Sequence, residues 1–190
     1  MFMLYALATG VAIGWLLGGR LSGLGALRIR WAPLALVGLL AQVVLFFGPV
    51  AERIGGAGPL VYIGSTLVVL IVVCRNLAVP GLALVAVGTA SNLAAILANG
   101  GSMPASAAAL ALVGHGVNDG YSNSTVVADP ALWPLTDIFA IPAPMPFANV
   151  MSVGDILIGV GVAWAVVAAM RSGASGNLPR RYPHPGTHGS

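Results

Sequence analysis

Four ionisable side chains of this sequence could act together in chemistry: His115, Asp119, Asp137 and Asp155. Carboxylate oxygens with one imidazole suit a divalent cation, and the same groups can serve as a general acid and a general base. Their spacing fits no metal-binding motif, however, and "GHGVND" around His115 is equally typical of a polar turn. We therefore predict no resident metal or other cofactor. A serine hydrolase is disfavoured separately, because no Gly-x-Ser-x-Gly elbow is present.

Asp155 allows two interpretations. A carboxylate in the middle of a membrane costs roughly 2.5–3.5 kcal/mol on insertion scales, so such a residue usually marks a functional site. The stretch "SVGD" is also a Ser-x-x-Asp that opens an apolar run, which resembles a capping box. Ser152 would accept from the amide three residues on, and Asp155 would face the positive helix end, an arrangement worth about 1 kcal/mol. We favour a structural cap, which can still lie at the edge of a site.

The stretch "NGGSMP" (99–104) interrupts a long apolar segment. Asn99 can cap the preceding helix, and Gly100 and Gly101 can adopt the positive φ values that end a helix. Pro104 suits the first position of a new helix, which we place at 104–113. Because ten residues cannot cross a bilayer, this helix should lie in the interface or dip in and return.

The composition indicates where the chain resides. It has 190 residues, of which 58% are hydrophobic and 7% charged, and its mean hydropathy is +0.95. Soluble domains carry about a quarter charged residues, so lipid should be the solvent for most of this chain. The formal net charge of +3 does not indicate nucleic acid, because the arginines sit at the ends of apolar runs. The absence of lysine, with abundant Ala, Gly and Val, is typical of a GC-rich bacterial genome.

We therefore predict an all-α integral membrane bundle, in the bacterial cytoplasmic membrane, with one transmembrane domain over residues 1–171. A span needs about 20 apolar residues. Five stretches qualify, at about 3–19, 31–51, 59–74, 80–98 and 152–170. The proline-rich segment 99–151 cannot be a regular span and should form an external lid. The polar residues 172–190 should form a disordered tail.

The arginines predict the orientation. Seven of the eight follow the first, third and fifth spans: Arg20, Arg28, Arg30, Arg75, Arg171, Arg180 and Arg181. Only Arg53 follows the second span. Under the positive-inside rule this asymmetry places the N-terminus outside and the C-terminus in the cytoplasm.

Small residues and two amides suggest how the helices pack. Two sets repeat every four residues, which puts each set on one helix face: Gly10, Gly14 and Gly18, and Ala86, Ala90, Ala94 and Ala98. Each face should contact another span of the chain, although a second copy is an alternative. Gln42 and Asn92 should be buried and bond to each other or to backbone, worth about 0.6 kcal/mol on average; a narrow polar path is the less favoured reading.

Four stretches resemble a known family. They are "GGRLSGLGALRIRW" (18–31), "NGGSMPAS" (99–106), "LWPLTDIFAIPAP" (132–144) and "SVGDILIGVGV" (152–162). Together they resemble the bacterial membrane family DUF5317. The matching positions are Arg20, Leu21, Ser22, Asn99, Gly100, Gly101, Met103, Pro104, Asp137, Ser152, Gly154 and Asp155. Thr136 stands where the family pattern has Gly, so the turn before Asp137 should differ. The resemblance implies a multi-pass membrane fold and brings no activity with it.

Two classes of function remain. The first is a non-enzymatic membrane protein, either a scaffold or accessory subunit or a binder of a lipid or small solute. Its recognition surface would be the outer mouth, formed by Asn99, Gly100, Gly101, Met103, Pro104, His115, Asp137 and Asp155. The second is an outer-leaflet enzyme that uses Asp137, Asp155 and His115 as acid, base or metal ligands. A small channel or transporter is a weaker third, since ionisable groups are missing from the span centres. The expected partners are membrane lipids, and another subunit or a second copy is an alternative.

Overall fold

The computed structural model describes residues 2–114 and 124–175 and is mostly helical. The helices of this part of the chain are α1 (Phe2–Leu16), α2 (Ser22–Gly25), α3 (Ala32–Leu45), α4 (Gly48–Ile54), α5 (Gly58–Arg75), α6 (Leu82–Ala98), α7 (Ala107–Val113) and α8 (Val153–Ser175). Its strands are β1 (Met103–Ala105), β2 (Ser124–Val126), β3 (Phe139–Ile141) and β4 (Asn149–Met151). Single turns of 3-10 helix occupy Gly55–Ala57 and Trp133–Leu135.

The five apolar helices pack in a row, in the order α1, α8, α6, α5, α3. Helix α8 runs parallel to α1, because Gly10 lies against Ala163 and Gly14 against Met170. Helix α8 runs antiparallel to α6. The helices at the two ends of the row, α1 and α3, each have one major helical neighbour.

Each predicted span contains one apolar helix, but the second span is interrupted. Helix α3 ends at Leu45, and α4 begins at Gly48 after Phe47, whose backbone is extended (φ −72°, ψ 122°). Pro49 explains the break, because its ring would clash with the carbonyl of Leu45 in a continuous helix and it has no N–H to donate. The predicted span 31–51 therefore contains α3 and the start of α4 instead of one continuous helix.

Two stretches of the described residues, Gly55–Arg75 and Val153–Gly173, have the length and apolar composition to cross a membrane. Helices α1, α3 and α6 are apolar but shorter. The five-span arrangement therefore remains a prediction. Helix α8 continues to Ser175, so residues 172–175 belong to it and not to the predicted tail, whose remaining residues lie outside the described part.

Two of the three glycines predicted to form a packing face on α1 lie in the contact with α8. A Cβ on Gly10 would lie 2.9 Å from the Cα of Ala163, so only glycine allows this approach of α1 to α8. Gly14 is buried in the same contact. Gly18 is not in it: it has a φ of +77° and no atom near its missing Cβ, and it lies just beyond the end of α1.

The α6–α8 contact uses glycines that the sequence interpretation missed. A Cβ on Gly88 would lie 2.8 Å from the Ile158 side chain, and one on Gly161 would lie 2.6 Å from the carbonyl oxygen of Gly81. The predicted alanine face is not this contact, since Ala90 and Ala98 are exposed and Ala86 and Ala94 are half-buried. Glycine faces bring two backbones closer than alanine faces do, which explains why α8 lies against the glycines.

We name residues 99–151 the cap segment, and its described parts, 99–114 and 124–151, fold over the ends of α5, α6 and α8. Strand β1 pairs in parallel with β2, and β3 pairs antiparallel with β4. A bridge from Ala105 to Asp137 joins the two halves of the segment.

The predicted helix start at Pro104 is wrong. Pro104 belongs to β1, and its carbonyl oxygen accepts from the amide of Asp137 at 2.9 Å. That pairing keeps the backbone extended until Ser106, which is the N-cap of α7 and whose hydroxyl accepts from the amide of Ala109 at 3.5 Å. Proline is compatible with β1 because the register leaves its missing N–H without a required partner.

One end of the helix row carries most of the described arginines. The amide of Arg20 donates to the carbonyl of Met170 at 2.9 Å, and the amide of Arg30 donates to Oδ1 of Asn76 at 2.8 Å. These bonds bring the loop after α1, the end of α5 and the end of α8 together. We name residues 20–31, 75–76 and 170–171 the arginine end.

Candidate functional site

Ser152 and Asp155 open α8 as a reciprocal capping pair. The amide of Asp155 donates to Oγ of Ser152 at 3.0 Å, and the amide of Ser152 donates to Oδ2 of Asp155 at 2.9 Å. Two amides that the helix leaves without a partner are thereby satisfied. Ser152 is fully buried and Asp155 is half-buried.

A third residue, Asn92 on α6, joins this pair. Its Nδ2 donates to Oδ1 of Asp155 at 2.9 Å, and its Oδ1 accepts from the Ser152 hydroxyl at 2.8 Å. The single Ser152 hydroxyl proton goes to Asn92, and the two carboxylate oxygens of Asp155 accept from the Asn92 side chain and from the Ser152 backbone amide, so all three side chains are bonded. We name Asn92, Ser152 and Asp155 the polar triangle.

Glycine makes the polar triangle possible. Gly154 lies directly beside the Asn92 amide, and a Cβ there would overlap the amide oxygen and lie 2.7 Å from the carbonyl oxygen of Gly88. Any larger residue at position 154 would push α8 away from α6 and lengthen the bonds to Asn92.

Asn99 fastens the cap segment to the end of α6. Its Nδ2 donates to the carbonyl oxygens of Ala95 at 2.8 Å and Ala131 at 2.9 Å, and its Oδ1 accepts from the amide of Ala131 at 2.9 Å. Asn99 is also the C-cap of α6, and Gly100 and Gly101 have φ values of +70° and +92°. The amide of Gly101 donates to Ile96 at 2.8 Å, which is the 6→1 bond of a Schellman motif.

Met103 and Pro104 are interior residues of the cap segment. Met103 is 3% exposed and packs with Ala95 and Ile96 of α6, with Tyr62, Ile63 and Leu135 around them. Pro104 is fully buried. Both are therefore interior packing residues, and neither offers a surface to a ligand.

Asp137 is buried, with 5% of its surface exposed. Its amide donates to Pro104 and its carbonyl oxygen accepts from the amide of Ser106 at 2.9 Å, so its backbone holds β1 in place. Thr136 before it is extended, and its hydroxyl donates to the carbonyl oxygen of Trp133 at 2.7 Å. A glycine is not needed for this turn.

The predicted acid–base cluster is only partly visible. His115 and Asp119 lie outside the described residues. Within residues 2–114 and 124–175, no group of three His, Cys, Asp or Glu side chains is arranged to hold a metal ion.

Gln42 and Asn92 are both half-buried and do not bond to each other. Gln42 Nε2 donates to the hydroxyl of Thr66 at 3.1 Å, which links α3 to α5, whereas Asn92 links α6 to α8. The row of helices places these pairs in different contacts, and both amides bond to side chains, so neither the predicted mutual bond nor the predicted backbone alternative is found among these bonds.

The sequence analysis named Asn92 as a buried amide without predicting its place in the polar triangle, and it did not identify Asn76. Asn76 is 5% exposed and bonds to both the amide and the carbonyl of Arg30. Each is an amide side chain in or next to an apolar run, which is the available signal. The bonding partners of these two amides could not be predicted from the sequence, because the bonds join residues 46 or more positions apart.

A family model described as a family of unknown function, DUF5317, matches residues 26–167. The match includes the polar triangle, Asn99–Pro104 and Asp137, and it begins after Arg20, Leu21 and Ser22. No curated protein and no solved structure matches the chain. Since the model covers most of the sequence, the chain belongs to the DUF5317 family.

Proposed function

We propose that this chain is a multi-pass protein of the bacterial cytoplasmic membrane, with five spans, an outside N-terminus and a cytoplasmic C-terminus. On this proposal residues 1–171 are one membrane domain and the cap segment lies on the outside. Membrane lipids are its principal partners, and another subunit or a second copy is the alternative.

Exposed apolar side chains support the membrane assignment. A row one helix thick has two broad faces, and both would meet water in a soluble protein. On α3 the exposed fractions are 57% for Leu36, 62% for Val37, 52% for Leu40 and 68% for Val43. Only 28% of the most apolar 18-residue stretch of Gly55–Arg75 is buried by the rest of the chain. The apolar core helix of a soluble protein would be mostly covered, so these faces fit contact with lipid.

The chain acts without catalysis on this proposal, as a scaffold or accessory subunit or as a binder of a lipid or small solute. One observation carries the proposal: both carboxylate oxygens of Asp155 accept hydrogen bonds within the polar triangle. Asn99 likewise uses its amide to hold Ala131. Asp155 joins α8 to α6 and Asn99 joins α6 to the cap segment, so both have a structural task, and on this proposal recognition belongs to the outer surface of the cap segment.

The two other functions have less support. An outer-leaflet enzyme would need Asp155 to offer an oxygen to substrate, water or metal, and a channel would need one polar path. The described contacts instead pair Gln42 with Thr66 and Asn92 with Asp155 in separate helix contacts.

Residence in the membrane and orientation can be tested with the chain's one cysteine, Cys74, which is exposed beside Arg75. The protein should stay in the pellet on carbonate extraction. A membrane-impermeant maleimide should label Cys74 in inside-out vesicles and not in intact cells. In a Cys74→Ala background, Ala128→Cys in the cap segment should show the opposite pattern. Release by carbonate, or labelling of position 128 only from the inside, would refute the assignment.

Recognition at the cap segment can be tested with a photo-crosslinking amino acid at Trp133, which is 57% exposed. The matched control is the same amino acid at Val37, which should yield only bulk lipid adducts. We expect a discrete adduct at position 133 that is absent at position 37. Identical adducts at both positions would contradict the proposal. So would turnover of a lipid-linked or phosphorylated substrate by purified protein that Asp137→Asn abolishes.

A further inference from the structure

Trp31, at the arginine end, is held in an unusual conformation. Its φ is +62° and its ψ is 25°, in the left-handed region that bulky side chains rarely adopt. The side chain is nevertheless 55% exposed, so core packing does not explain the strain. Strained residues that a protein maintains cluster at ligand-binding sites.

Asn76 maintains this conformation. Its Oδ1 accepts from the amide of Arg30 at 2.8 Å, and its Nδ2 donates to the carbonyl oxygens of Arg30 at 2.9 Å and of Val72 at 2.7 Å. The peptide groups on both sides of Arg30, the second of which leads into Trp31, are therefore fastened to the end of α5 by a buried amide. The arrangement fixes the backbone that carries the indole ring.

The result is a site with an apolar part and a cationic part. The Cζ atom of Arg75 lies 6.0 Å from the centroid of the Trp31 ring, at the outer limit of a cation–π contact. Trp31, Pro33 and Leu34 line an open groove of about 380 Å³ beside it. A guanidinium that faces a ring keeps its N–H donors around its edge, where they can bind phosphate oxygens in a bidentate manner.

Among the described residues, the aspartates lie away from these cations: Asp129 and Asp137 belong to the cap segment, and Asp155 belongs to the start of α8, at the other end of that helix from Arg171. Glu52 lies in α4, between Gly48 and Ile54, beyond the far end of α3 from Trp31. Arg28, Arg30 and Arg75 are exposed, so their guanidinium groups are accessible to an anion of another molecule.

We propose that the Trp31 groove and Arg75 bind one anionic phospholipid of the cytoplasmic leaflet. Its phosphate lies on the Arg75 guanidinium, in the field of Arg28 and Arg30, and the start of its acyl chain lies along Trp31, Pro33 and Leu34. Charge complementarity and the adjoining apolar groove single out this ligand, because a free phosphate would use only the cationic part. The inference rests on the membrane residence and orientation proposed above.

The test measures binding of phosphatidylglycerol to the purified full-length protein in a non-ionic detergent, by native mass spectrometry, with phosphatidylcholine of the same acyl chains as the neutral comparison. We expect a preference for phosphatidylglycerol. Removing one cation near an anionic headgroup weakens binding about fivefold, so Arg75→Gln should reduce phosphatidylglycerol binding by that factor and leave phosphatidylcholine unchanged. Arg53→Gln is the matched control, an exposed arginine away from the arginine end, and should have no effect.

A second measurement does not depend on the Arg75 variant. Brominated phosphatidylglycerol should quench the tryptophan fluorescence of the wild-type protein, and Trp31→Phe should reduce that quenching. The reduction should be larger with brominated phosphatidylglycerol than with brominated phosphatidylcholine. Inorganic phosphate at the same concentration should not displace the lipid. Equal binding of the two lipids, an Arg53→Gln effect as large as that of Arg75→Gln, or full displacement by phosphate would each overturn the inference. Loss of membrane residence would appear separately, as release in the carbonate extraction.

Discussion

Replacing Asp155 by asparagine tests whether this carboxylate is structural or catalytic. In the polar triangle it accepts from the Asn92 amide at 2.9 Å and from the Ser152 amide at 2.9 Å. An asparagine has one acceptor oxygen, so its NH2 group would face one of these two donors. A hydrogen bond to a charged group contributes about 1.5–3 kcal/mol, and we expect Asp155→Asn to lower the free energy of unfolding by about that amount.

For a chain of this length, such a loss corresponds to a fall of roughly 3 to 12 °C in apparent melting temperature, measured on purified protein in detergent. Asp129→Asn is the matched control, because Asp129 is exposed, and it should change stability by no more than about 0.5 kcal/mol. Catalytic carboxylates are often held at a cost to stability, and their removal tends to leave stability unchanged or higher. An Asp155→Asn protein that melts at or above the wild-type temperature would therefore refute the structural interpretation.

Two further perturbations probe how the cap segment and the helices are joined. Asn99→Ala removes the hydrogen bonds to Ala95 and Ala131, so amide hydrogen exchange over residues 127–135 should become about fivefold faster or more. Similar exchange rates in the variant and the wild type would contradict the role of Asn99 in holding the cap segment to α6. Gly154→Ala places a Cβ on the Asn92 amide and should lower the free energy of unfolding by about 1–3 kcal/mol, measured by thermal melting. Gly64→Ala is the control and should leave this free energy unchanged or raise it, because no atom lies within 4 Å of the added Cβ. Equal effects at the two glycines would contradict the close approach of α8 to α6.

Local chemistry was predictable from the sequence. Ser152 and Asp155 form the capping pair that their spacing indicated, and Gly100 and Gly101 have the positive φ values expected after Asn99. Both features depend on neighbours within four residues, where backbone geometry decides the outcome.

Features that depend on distant partners were not predictable. Pro104 is a good first residue for a helix, but it pairs with Asp137, 33 positions away, and that pairing keeps it extended. The alanines of α6 have the spacing of a packing face, yet α8 lies against Gly88 because glycine permits the closer approach. Periodicity identifies which faces can pack, and the competition between faces is decided only when the neighbour is known.

The pairing of α1 with α8 has a consequence for biogenesis. Helix α1 leaves the ribosome well before its major neighbour α8, whose Ala163 lies against Gly10. At about 5–20 residues per second, α1 waits roughly 8 to 30 s for the residues that will cover it. During that interval its glycine face is open to the wrong helix, and the Tyr5 hydroxyl has yet to meet the Pro146 carbonyl that will anchor it. On the membrane residence proposed above, assembly therefore requires the insertion machinery to keep α1 available until α8 has been synthesised.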